Sequence, residues 1–112
     1  MLKRIVLAAA LTLTLNGAQA VEAEGAPVVE VYGPVGCLAC LEWVYHLGQN
    51  GFAATFKGTA DMVAIKRRLK VPPTVESVLT ASVGGYFIEG HVPADDIKLL
   101  LREKPKARGL AV

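Results

Sequence analysis

Hydrophobic positions follow two regimes along the chain. Residues 5–15 form a nearly unbroken apolar block, preceded by Lys3 and Arg4 and followed by Ala18-Gln19-Ala20. Beyond it the apolar positions become periodic. Val28, Val29, Val31 and Tyr32 make a short β-branched and aromatic run closed by Gly33-Pro34, which predicts a buried strand. From Cys37 or Leu38 to Asn50 the spacing turns helical, with Cys40, Trp43, Val44 and Leu47 on one face, and Asn50-Gly51 supplies the stop. Residues 52–57 alternate as a second strand. Residues 60–69 bring Met62, Ile65 and Leu69 to one face of a second helix that Pro72-Pro73 ends. Two more strands are predicted over 79–83 and 86–89, joined at Gly84-Gly85 by a tight hairpin, because glycine accepts positive φ. Pro93 fits the first turn of a last helix, with Asp95 and Asp96 at its positive end and Ile97, Leu100 and Leu101 as its apolar stripe.

The predicted order is βαβαββα. A strand, helix and strand in succession make a right-handed parallel unit, and the hairpin adds antiparallel strands. The expected fold is therefore α/β of thioredoxin type, a four-stranded mixed sheet with flanking helices. Its first strand ends where its first helix begins, and Cys37 and Cys40 lie at that junction.

Composition changes the picture mainly at the N-terminus. A charged start, an apolar stretch short of the ~20 residues a membrane span requires, and small residues at 18 and 20 read as a secretion signal over residues 1–20. Residues 21–26 then form a flexible leader, and residues 27–112 form the single domain. The formal charge of +2 comes from Lys3 and Arg4. With the signal removed, acidic and basic residues balance, so charge points to no nucleic-acid partner and to no membrane association after cleavage. The expected location is periplasmic or otherwise exported.

The candidate chemistry is the cysteine pair. Three residues of spacing sets both sulfurs on one side of a helical turn, close enough to share a metal or form a disulfide. Unpaired N–H groups at the helix start favour a thiolate, which makes Cys37 the exposed, reactive sulfur and Cys40 its more buried partner. A purely structural bridge is the competing reading. A four-residue loop would contribute only about 2 kcal/mol by chain entropy, against about 4.7 kcal/mol for a hundred-residue loop. Thiol-disulfide exchange is the third possibility. His91, in the loop after the fourth strand, is a weaker candidate ligand. His46 and Met62 read as structural, Trp43 as a core anchor, and Lys66, Arg67, Arg68 and Lys70 as a solvated basic face.

These residues resemble a known family. Cys37, Cys40, Trp43, His46, Gly51-Phe52, Val71-Pro72-Pro73, the run from Gly84 to Ala94 and the ending Arg108-Gly109-Leu110-Ala111-Val112 are similar to the periplasmic copper-resistance CopG-like proteins. The resemblance implies a thioredoxin fold and copper bound by a C-x-C-C cluster with a Cys-His pair at the third strand. In this chain Ala39 stands at the middle cysteine and Val78-Leu79 at the Cys-His pair. The expectation is thus one copper(I) ion on Cys37 and Cys40, exchanged with an exported copper-transfer or redox partner protein. The alternatives are a thiol-disulfide oxidoreductase or electron carrier, and a degenerate interaction module that binds no metal.

Overall fold

The computed structural model describes residues 25–112. The expected secretion signal, and all but the last two residues of the leader, lie outside the described residues.

Among the described residues five strands and three helices follow in the order β1 (Val28–Gly33), α1 (Leu38–Gln49), β2 (Ala53–Gly58), α2 (Met62–Leu69), β3 (Thr80–Val83), β4 (Tyr86–Glu89), α3 (Ala94–Glu103) and β5 (Gly109–Ala111), with a 3-10 turn over Pro73–Val75. The sheet order is β2-β1-β3-β4-β5. β1 pairs parallel with β2 and antiparallel with β3, as the strand-helix-strand and hairpin patterns require. Gly84 and Gly85 both have positive φ at the β3–β4 turn.

The strand count corrects the sequence expectation. A fifth strand pairs parallel with β4, setting Gly109, Leu110 and Ala111 beside Phe87, Ile88 and Glu89. Three residues that include a glycine carry no alternation, so this strand exists only because β4 offers an open edge. Backbone bonds from Phe87 N–H to Arg108 O and from Val112 N–H to Glu89 O, both near 3.0 Å, fasten it.

Alternation along the strands divides the sheet into two unlike faces. On one, Val29 and Val31 of β1, Ala81 and Val83 of β3 and Ile88 of β4 pack against Cys40, Trp43 and Leu47 of α1 and Ile97 and Leu100 of α3. The other face carries Tyr32, Thr80 and Glu89 and is covered by α2, none of whose residues is fully buried.

That second face also overturns the reading of Lys66 as part of a solvated basic strip. The Lys66 side chain is only 13% exposed and reaches the fully buried Glu89 carboxylate. Its ammonium also donates to Thr80 Oγ1 at 2.9 Å and to the Ser77 carbonyl at 2.7 Å. Glu89 Oε2 accepts in addition from Ser77 N–H at 2.8 Å. Arg68 stays exposed, as expected, while donating to Tyr32 Oη at 3.2 Å with its guanidinium 5.5 Å from that ring's centre. Arg67 and Lys70 are exposed, as expected of a solvated face.

Candidate functional site

β1 delivers the chain to the site and α1 holds it there. After Gly33, a turn closed by Cys37 N–H on the Pro34 carbonyl at 3.1 Å reverses the backbone into α1. Cys37 is the N-cap of that helix, in an extended conformation, and its Sγ accepts from Cys40 N–H at 3.1 Å. Serine, threonine, asparagine or aspartate usually fills that role with an oxygen. Here a sulfur takes it, so one of the helix's orphan N–H groups, that of Cys40, points at the atom that would carry negative charge in a thiolate.

The two sulfurs are joined as a disulfide, with the Cα atoms 5.3 Å apart. Cys40 is completely buried and Cys37 half-buried, the asymmetry that the spacing predicts. Cys40 is seated in part by a missing side chain. A Cβ placed on Gly33 would lie 2.5 Å from Cys40 Sγ, so the sulfur packs directly on the end of β1.

One turn further along α1, the fully buried Trp43 anchors the core, as its spacing predicts, and adds a tether. Its indole N–H donates to the Val92 carbonyl at 3.0 Å, fixing the loop between β4 and α3 against α1. His91 is exposed on that loop, its ring centre 6.3 Å from Trp43 and 6.2 Å from His46. The structure therefore brings Cys37 and Cys40 together and sets His91 on the Trp43 and His46 side of α1.

His46 has a structural task that its position in sequence does not reveal. Ala94 N–H, in the first turn of α3, donates to His46 Nε2 at 3.1 Å. Pro93 precedes that turn and has no side-chain group to cap it. An acceptor nitrogen holds a lone pair, so the neutral ring carries its proton on Nδ1. Its coordinating electron pair is thus committed to the helix end. Met62, expected to pack in the core, is instead half-buried at the start of α2, where it lines a surface pocket with Val63 and Val71. Among the described residues no three His, Cys, Asp or Glu side chains gather in a way that could hold a metal ion. Among the same residues no helix is long and apolar enough to cross a membrane.

Comparison with known proteins converges on one family. A solved structure described as copper resistance protein CopG, form 2, is 43% identical to this chain, superposes with a TM-score of 0.69, and is matched over 75% of this chain and 67% of its own. The chain belongs to the CopG-like family. A second CopG structure, form 1, is 44% identical with a TM-score of 0.67, covering 73% of this chain and 65% of the CopG chain. Residues 75–112 also match a family model described as a protein of unknown function, DUF411. That segment holds β3, β4, α3 and β5, the part of this chain that contains neither cysteine. No curated protein matches the chain.

Proposed function

We propose that the protein handles copper(I) in an exported compartment, holding one ion between the Cys37 and Cys40 thiolates when the disulfide is reduced. The observation that carries this reading is the capping geometry: Cys37 Sγ already accepts the Cys40 N–H at the mouth of α1, so opening the bridge leaves a sulfur whose negative charge the helix end stabilises. Thiolates are soft donors that select copper(I) over harder ions. Membership of a family whose solved members are described as copper resistance proteins supports the choice of metal.

The donor set limits the stoichiometry. Two sulfurs suit a single ion of low coordination number, and with Ala39, Val78 and Leu79 at positions without ligating side chains, a multi-copper cluster has nothing to rest on. A further donor would come from a partner or from His91, the weaker candidate, which is exposed on the loop after β4 and does not gather with the two cysteines in this oxidised structure. Copper and the disulfide exclude each other, because a bridged sulfur offers no thiolate.

Anaerobic titration of the reduced protein with copper(I) against a competing chelator tests the reading. One equivalent should bind tightly to the wild type, and the Cys37→Ser/Cys40→Ser variant should bind none. Equal binding by both proteins would sink it. Copper should also protect both cysteines from alkylation, and unchanged labelling rates would count against the shared site.

A further inference from the structure

The outer face of α1 carries an apolar stripe that the fold does not use. Leu38, Leu41 and Tyr45, at three- and four-residue spacing, lie opposite the buried Cys40, Trp43 and Leu47. Leu38 is 75% exposed and Tyr45 69%, and Val35, in the turn just before Cys37, is 83% exposed. Glu42 is the one charged residue among those lining this open face. The stripe begins at the disulfide. Cys37, the half-buried sulfur, is the only one of the two that a visitor could reach.

The size of the patch selects among occupants. These four side chains present on the order of 500 Å², near the upper end for the largest patch on a monomer. A stable homodimer needs roughly 800 Å² from each copy, and the stripe falls short of that. Small interfaces of this kind belong to transient electron-transfer and redox encounters. A second observation on the same surface says what the encounter would be for: the accessible atom at its edge is one sulfur of a disulfide.

We propose that this stripe docks a partner protein carrying a dithiol, which reduces the Cys37–Cys40 bridge and so makes the pair available to copper. The proposal rests on the copper(I) reading for its purpose but not for its chemistry. A thiolate of the partner attacks Cys37 Sγ, forming a mixed disulfide. The Cys37–Cys40 bond breaks, and its electron pair leaves on Cys40 Sγ, which takes up a proton. The partner's second thiolate then attacks its own bridged sulfur and releases Cys37 as the thiolate capped by Cys40 N–H. Two electrons have moved from the partner, now a disulfide, to this chain, now a dithiol. Burial of Cys40 makes the direction of attack unique.

Reduction rates test this with the intact oxidised domain, using thioredoxin as the protein dithiol and dithiothreitol as the small one. Leu41→Ser/Tyr45→Ser should slow reduction by thioredoxin roughly tenfold, the loss typical of removing central interface anchors. Reduction by dithiothreitol should be unchanged, which also shows that the variant is folded. Cys40→Ser mixed with thioredoxin whose resolving cysteine is replaced, after activation of Cys37 with an aromatic disulfide, should give a mixed disulfide at Cys37, formed more slowly by the stripe variant. Equal rates of thioredoxin reduction for wild type and variant would overturn the proposal. So would a concentration-dependent dimer, lost in the variant, in sedimentation analysis. Copper titration of chemically reduced wild type and variant is a separate readout: if neither binds copper, the function proposed above fails while the docking result stands.

Discussion

The two faces of the sheet bury their residues by opposite means. Toward α1 and α3 the contact is dry: Val29, Val31, Ala81 and Ile88 meet Trp43, Leu47 and Ile97, and the buried Trp43 N–H is satisfied by one carbonyl. Toward α2 the centre is an ion pair, with Glu89 fully buried and Lys66 nearly so, both tied to the backbone before β3. A dry face gains from area removed from water and tolerates exchange among apolar residues of conserved volume. A charged one is held only while every partner is present, since a lone buried charge pays its full desolvation cost. The cysteine pair sits on the tolerant face, and the segment leading into β3 depends on the intolerant one.

The contrast is broken most directly at Lys66. Lys66→Met should destabilise the domain by about 3–5 kcal/mol in urea unfolding at neutral pH, because Glu89 is left without its counter-ion. Lys66→Met/Glu89→Leu should recover most of that loss; a double variant as unstable as the single would show that packing rather than charge is at stake. A smaller effect is expected at the other face's polar link. His46→Ala removes the acceptor for Ala94 N–H and should cost about 1 kcal/mol, the usual value of an N-cap, while leaving copper(I) stoichiometry at one. Loss of copper binding in that variant would show that His46 does more than cap α3.

The smallest effect is expected at Glu30 and Lys57, an exposed pair 3.0 Å apart across β1 and β2. The Lys57 ammonium, and then the Tyr32 hydroxyl, hold the Glu30 carboxyl below its usual range, and Glu30 in turn raises Lys57. A lowered carboxyl stabilises the fold above its unfolded pKa, and that support is lost as pH falls through the folded value. A raised lysine contributes below its unfolded pKa, and that support is lost as pH rises through its folded one. Between those limits Lys57→Met should leave Tm within measurement scatter, since solvent and salt screen such pairs. A large loss of Tm at neutral pH would mean that the β2 edge depends on this contact.

The dry face was the legible one. Helical spacing in Cys40, Trp43 and Leu47 and β-branched runs in β1 needed no tertiary information, and they placed the two sulfurs at the mouth of α1. What could not be read depends on contacts between distant residues. Lys66 sits in a basic run that looks solvated, and its inward turn is decided by Glu89, twenty-three positions later. His46 caps a helix forty-eight residues away. β5 has too few residues to show a period and is specified by the edge it joins. The oxidised state of the pair is likewise a matter of partners and surroundings rather than of spacing.

Gly33 shows how far the sulfur site extends beyond the sulfurs. Any residue with a β-carbon at that strand end would compete with Cys40 for the same space, and even a methyl would force the sulfur or the strand to yield. A neighbour with no chemistry of its own thereby sets how deep the inner cysteine can sit. Drift at position 33 could disable the pair while both cysteines remained in place.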